Sequence, residues 1–196
     1  MSDIRVAWAD ANVKRFGEKI ARLNGQFPLV LPRIINQVGN RAKTQVIRNL
    51  TKQTGLPRKT VVKAVGNPMQ ANAGKLSYSM ITRGGNIRLK YLAPKEYNGG
   101  VKAKPWGKVA DYPKAFMKGG LFPGRKISEK LGGHVWRNLG RGERKDGGRG
   151  QRLTQVRSGM KIPEEMTTGA TRKAFETIAG LLLQERVGKA IAKLIG

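Results

Sequence analysis

Apolar residues in the first third of the chain recur every three to four positions, the spacing of helices with one buried face. Val13, Phe16, Ile20 and Leu23 share such a face, and Asn24-Gly25 closes the helix they predict. A longer helix is predicted after Pro28 and Pro32, which suit a first turn because the N–H they lack would be unpaired there anyway. Its stripe is Leu31, Ile35, Val38, Ala42, Val46 and Leu50, with Arg33, Arg41, Lys43 and Arg48 opposite. Thr54-Gly55 is its stop, and Pro57 begins a short helix holding Val61, Val62 and Val65.

The period then drops to two. Leu76, Tyr78 and Met80 alternate with Lys75, Ser77 and Ser79, and beyond Gly84-Gly85 so do Ile87, Leu89 and Tyr91 with Asn86, Arg88 and Lys90. Two alternating runs about a Gly-Gly pair predict a β-hairpin with one buried face. A third strand is predicted over Val101 to Val109, with Lys102 and Lys104 pointing away from the core. From Lys118 to Gly150 glycines break the pattern into a long loop, interrupted by a short strand at Val135-Trp136-Arg137. A strand at Leu153 to Val156 follows. Ile162-Pro163-Glu164-Glu165 then opens a closing helix with acids in its first turn, where the helix dipole favours them. Phe175, Ile178, Leu182, Ile191 and Leu194 form its apolar side.

The predicted fold is α+β: N-terminal helices and a C-terminal helix on one face of a small antiparallel sheet, with a long basic glycine-rich loop. It is one domain in four segments, 1–66 helical, 67–118 the sheet, 119–151 the basic loop, and 152–196 the last strand and helix. A chain of 196 residues fits this size. No repeat is visible.

Charge changes the picture most. Lys and Arg number 39 against 12 Asp and Glu, a net +27. Such an excess repels itself and calls for a polyanion or an acidic partner surface. Apolar residues reach only 39%, and glycine is abundant at 26 residues, which suits a chain that is ordered partly by its neighbours. No cysteine is present, so disulfides and thiolate metal sites are excluded. Neither a secretory signal nor an apolar run long enough to span a membrane is visible, and a soluble protein of cytosolic origin is expected.

Little in the chain points to catalysis. The lone His134 sits among glycines, no G-x-S-x-G occurs, and the acids are scattered apart from Glu164-Glu165. The stretch Gly119 to Lys126 imitates a phosphate-binding loop, but Arg125 replaces its lysine and Lys126 its hydroxyl residue. No enzyme, cofactor or metal is expected. Val46 to Leu50, the Thr54-Gly55 turn and Pro57 to Lys63 imitate a helix-turn-helix, with Arg58, Lys59 and Lys63 solvated in the plainer reading.

The basic glycine stretch is the most informative polar segment. Arg125, Lys126, Arg137, Arg141, Arg144, Lys145, Arg149 and Arg152 are the expected contacts to DNA or to an acidic neighbouring subunit, and the two choices stay open. Trp136 could stack on a base. Together with Trp106 and Phe116 it is also a candidate interface anchor.

Three ordered segments resemble the bacteriophage minor tail protein Z family, the tail completion proteins of long-tailed phages. The first is Ile87 to Tyr91, followed by Gly99 to Gly107 with its Trp-Gly end and by Ala115-Phe116. The second is Val135-Trp136-Arg137, and the third is Leu153 to Val156 leading to Ser158 to Met166. Met160-Lys161 and the length of the basic stretch depart from the family pattern. The resemblance implies a non-catalytic virion protein at the head-proximal end of the tail, made in the host cytoplasm. It would form a ring, a hexamer by expectation, against tail terminator or tail tube and head-connector proteins, with phage DNA in the channel and no membrane contact. The alternative is a general nucleic-acid-binding protein, nucleoid or ribosome associated.

Overall fold

The computed structural model describes residues 4–8, 25, 27–143 and 147–195. The helix expected over Val13 to Leu23 lies outside them.

Helix α1 (Phe27–Thr54) is the spine of the molecule. Its predicted stripe, Leu31, Ile35, Val38, Ala42, Val46 and Leu50, is buried along its whole length. Arg33, Arg41 and Arg48 stay exposed. Lys43 is half-buried instead, and its Nζ donates to the Gly66 carbonyl at 2.6 Å. Burial lowers the pKa of that ammonium. Gly55 ends the helix with φ at 71°, in the left-handed region that favours glycine, and its N–H donates to Thr51 O at 3.1 Å. Pro57 then leads into α2 (Arg58–Val65). Val61 and Val65 are buried there while Val62 faces solvent, so two of the three valines serve the core.

The closing helix is in two pieces, α3 (Ile162–Thr167) and α4 (Gly169–Ile195), where one continuous helix was expected. The Thr167 and Thr168 hydroxyls donate to Glu164 O at 3.1 and 3.0 Å, turning local side chains onto the carbonyl the break exposes. Long α4 packs along α1 in the most extensive contact of the fold and buries Phe175, Ala179 and Val187. Gln53 locks the three helices at one end. Its amide donates to the Glu165 carboxylate at 2.6 Å and accepts from the Thr171 hydroxyl at 2.9 Å.

Three small antiparallel sheets replace the single sheet expected. In the first, β1 (Ile4–Trp8) pairs with β2 (Tyr78–Thr82). The predicted hairpin about Gly84-Gly85 is therefore corrected: its first strand exists, but its partner comes from the chain's beginning. Ser79, expected on an exposed face, is buried, and it exchanges backbone hydrogen bonds with Met69 at 2.8 and 2.9 Å. The second half of the predicted hairpin is instead a 3-10 turn over Leu89–Tyr91, entered through Ile87, whose N–H donates to Met160 O at 2.8 Å. Strand β2 also lies on α1, where the Tyr78 ring covers Gly39 and its hydroxyl donates to Asn40 Oδ1 at 2.9 Å.

The second sheet runs β3 (Lys95–Tyr97), β4 (Gly100–Ala103), β5 (Ala110–Pro113). The strand expected over Val101 to Val109 stops at Ala103, because a 3-10 turn over Pro105–Gly107 reverses the chain. The third sheet runs β6 (Ala115–Phe116), β7 (Trp136–Glu143), β8 (Arg149–Gln155). Here the expectation fails most. Residues 136–143 and 149–155 of the supposed glycine loop form a long hairpin, and only the stretch 119–135 is irregular.

Candidate nucleic-acid interface

Hairpin β7–β8 touches little but β6 at its root. Asn138 to Arg141 and Gln151 to Thr154 are exposed on both strands, so neither face is covered. Its register pairs Trp136 with Gln155, Arg137 with Thr154 and Asn138 with Leu153. After a bulge it resumes with Arg141 opposite Gln151 and Glu143 opposite Arg149. Since side chains alternate, Arg149, Gln151, Leu153 and Gln155 share one face with Arg141 and Trp136. Arg152 and Thr154 share the other with Arg137 and Gly142. A Cβ on Gly142 would lie 2.8 Å from the Arg152 guanidinium, so the missing side chain lets that arginine lie across the strand. Each face thus carries two arginines.

The structure brings Arg137, Arg141, Arg149 and Arg152 together on this arm. Arg144 and Lys145, at its turn, lie outside the described residues. Arg125 and Lys126 belong to a separate loop. Arg125 is not a free contact: it is ion-paired with Glu96 on β3, whose side chain is only 5% exposed. The second oxygen of Glu96 accepts the backbone N–H groups of Met117 and Lys118 at 2.9 and 3.0 Å. The Arg125 guanidinium also lies 6.0 Å from the centre of the Phe116 ring. Sequence reasoning missed this cluster because its members are 29 residues apart. Lys126 is exposed.

The aromatic candidates are engaged within the chain. Trp136 is half-buried at the root of the hairpin, beside Phe116 across β6–β7, and its indole N–H donates to Leu131 O at 3.0 Å. His134 meets it edge-on, with ring centres 6.4 Å apart. His134 lies 3.3 Å from Lys90 Nζ, and burial first, then the charges of Lys90 and Arg88, hold its pKa below the usual histidine value. The neutral ring can accept a hydrogen bond from that ammonium. Trp106 lies elsewhere, its indole N–H donating to Glu165 Oε1 at 2.6 Å. The arm can offer guanidinium groups and bare backbone to phosphates from two sides. It has no free aromatic platform for unstacked bases among its described residues.

A second exposed feature was not predicted: Leu121, Phe122 and Ile127 stand in solvent on the loop that Arg125 anchors. The alternation that marks buried faces is silent about residues that have none. Among the described residues no helix is long and apolar enough to cross a membrane, and no group of three or more His, Asp or Glu is placed to hold a metal. Comparison with family models, with curated proteins and with solved structures finds no match to this chain.

Proposed function

We propose that this chain is a structural protein of the head-proximal end of a bacteriophage tail, a tail completion protein that assembles in a ring and faces DNA with its arginine hairpin. One observation carries the reading: the three segments that resemble the tail protein family, distant in sequence, lie against one another as a single unit. Strand β6 pairs with β7, Val156 N donates to Val135 O at 2.9 Å, and Ser158 N donates to Ile87 O at 3.0 Å. The Trp-Gly turn reaches the Ile-Pro helix through Trp106 and Glu165. A family likeness spread over such a unit has a structural reason to keep its order. The net charge of +27 and the projecting hairpin suit a wall past which duplex DNA moves, held by phosphate contacts without base reading.

The test is deletion of the gene from the phage that encodes it. Filled heads and finished tails that fail to join, with joining restored by the wild-type chain, are the expected result. Normal particles whose necks lack the chain would overturn the reading. The arm also favours a second reading, a general nucleic-acid-binding protein. That reading expects the free chain to hold DNA at physiological salt well beyond the roughly 10⁻⁴–10⁻⁶ M dissociation constants of non-specific binding. The tail protein gains its affinity only on assembly.

A further inference from the structure

Three large apolar side chains stand in water within seven residues: Leu121 is 88% exposed, Phe122 49% and Ile127 85%. Scattered exposed leucines need no explanation, but these sit on a loop that is held in place. Gly119 and Lys126 close it with reciprocal backbone hydrogen bonds of 2.9 Å, and Arg125 ties it to the nearly buried Glu96. An apolar tip fixed in this way has already lost the freedom that docking would cost it.

The fold leaves a matching hollow between α1 and α4. It has a volume of about 460 Å³, is lined mainly by apolar surface of Thr44, Gln45, Ile178, Leu181 and Leu182, and has Arg41 among its lining residues. Leu181 there is 64% exposed, so the chain's own tip does not fill its own groove. The charges fit locally. Exposed Lys118, Lys126 and Lys130 flank the tip. One turn beyond Leu181, α4 carries Glu185, and beside Thr177 it carries Glu176. Both acids sit in exposed pairs, with Lys189 and Arg172, which a lysine from another molecule can join.

We propose that the Leu121, Phe122 and Ile127 tip of one copy seats in the α1–α4 groove of a second copy. The contact is heterologous, tip to groove, so each copy keeps one tip and one groove free for the next, and the series closes into a ring or extends. This deepens the ring reading above and rests on it for self-assembly, not for a place in the tail. The overall charge opposes the contact at long range, but salt screens that repulsion beyond about 8 Å at physiological ionic strength. Self-association therefore strengthens as salt rises, the opposite of DNA binding.

The experiment is sedimentation velocity on the purified full chain at low and high sodium chloride. It compares wild type with a tip variant (Leu121→Asp with Ile127→Asp) and a groove variant (Leu181→Asp). All three positions are exposed, and circular dichroism checks the fold. Wild type is expected to form higher species, more at high salt, and each variant to associate more weakly by about tenfold or more. Mixing the two variants should give a one-to-one complex and nothing larger, because one intact tip meets one intact groove. If either aspartate variant misfolds, the serine versions must show the same pattern. A monomeric wild type, variants that assemble as wild type does, or a mixture that does not pair would overturn the proposal. The neck reading would still stand or fall separately on the deletion phenotype.

Discussion

Replacing Arg141, Arg149 and Arg152 by glutamine should flatten the salt dependence of DNA binding by a predictable amount. All three are exposed on the β7–β8 arm, while half-buried Arg137 is left in place to protect the root of the hairpin. Each phosphate neutralised on duplex DNA contributes about 0.9 to the slope of log affinity against log salt, so removing three contacts lowers it by about 2.7. Carried from 1 M to 0.1 M salt, that slope amounts to a loss of about 500-fold at the lower concentration, or roughly 3.7 kcal/mol, and almost none at the higher one. This is an upper limit, reached only if all three guanidiniums sit on phosphates in the bound state. The assay is fluorescence anisotropy of a labelled duplex, titrated from low salt upward so that weak binding by the free chain stays measurable. A random-sequence duplex and a second of unrelated sequence should lose affinity equally, because phosphate contacts carry no base information. A slope unchanged by the triple substitution, with the fold intact, would refute the placement of this arm on DNA. A loss confined to one sequence would refute the phosphate mechanism.

Three further outcomes follow from the packing. Gly39→Ala should lower stability by about 1–3 kcal/mol despite alanine's better helix propensity, because the new Cβ would fall 2.4 Å from the Tyr78 ring; denaturant midpoints measure this, and a stabilised variant would contradict it. Glu96→Gln should cost about 2–4 kcal/mol in the same assay, since it leaves the Arg125 charge unpaired in a largely buried setting and weakens acceptance from Met117 and Lys118; an unchanged midpoint would contradict it. Burial pushes the Tyr78 phenol up to about 12, above its unfolded value near 10, so the neutral form stabilises the fold below pH 10 and that contribution is lost as pH rises toward 12. Tyr78→Phe should flatten the fall in unfolding midpoint across that window relative to wild type, and parallel curves would count against it.

The helices were legible because their burial is one-sided and local. The Leu31 to Leu50 stripe needs no knowledge of what covers it, and Gly55 marks its end by a conformation few other residues accept. Strand pairing was not legible in the same way. The alternation at Leu76 to Met80 correctly marked a strand, but its partner β1 lies some seventy residues upstream, and nothing in a local period names a distant partner. Leu89 is buried as its period suggested, yet by a 3-10 turn, since a few alternating residues fit a tight turn as well as a strand.

The arm was missed for a different reason, and that reason bears on what it does. A strand advertises itself in sequence only when one of its faces is buried, and β7–β8 buries neither over most of its length. Its order comes from backbone ladder bonds and from its root, where β6 and the half-buried Trp136 hold it. Glycines that looked like loop punctuation instead keep one face low, so that Arg152 can lie over Gly142. A two-stranded ribbon with little hydrophobic support of its own is marginal in water, and one carrying arginines on both faces also repels itself. Both costs fall when phosphates come within reach. The features that hid this element from a reading based on burial are those expected of one that is completed by a polyanion, so hydrogen exchange along 136–143 and 149–155 should slow on adding duplex DNA while exchange in α1 does not change.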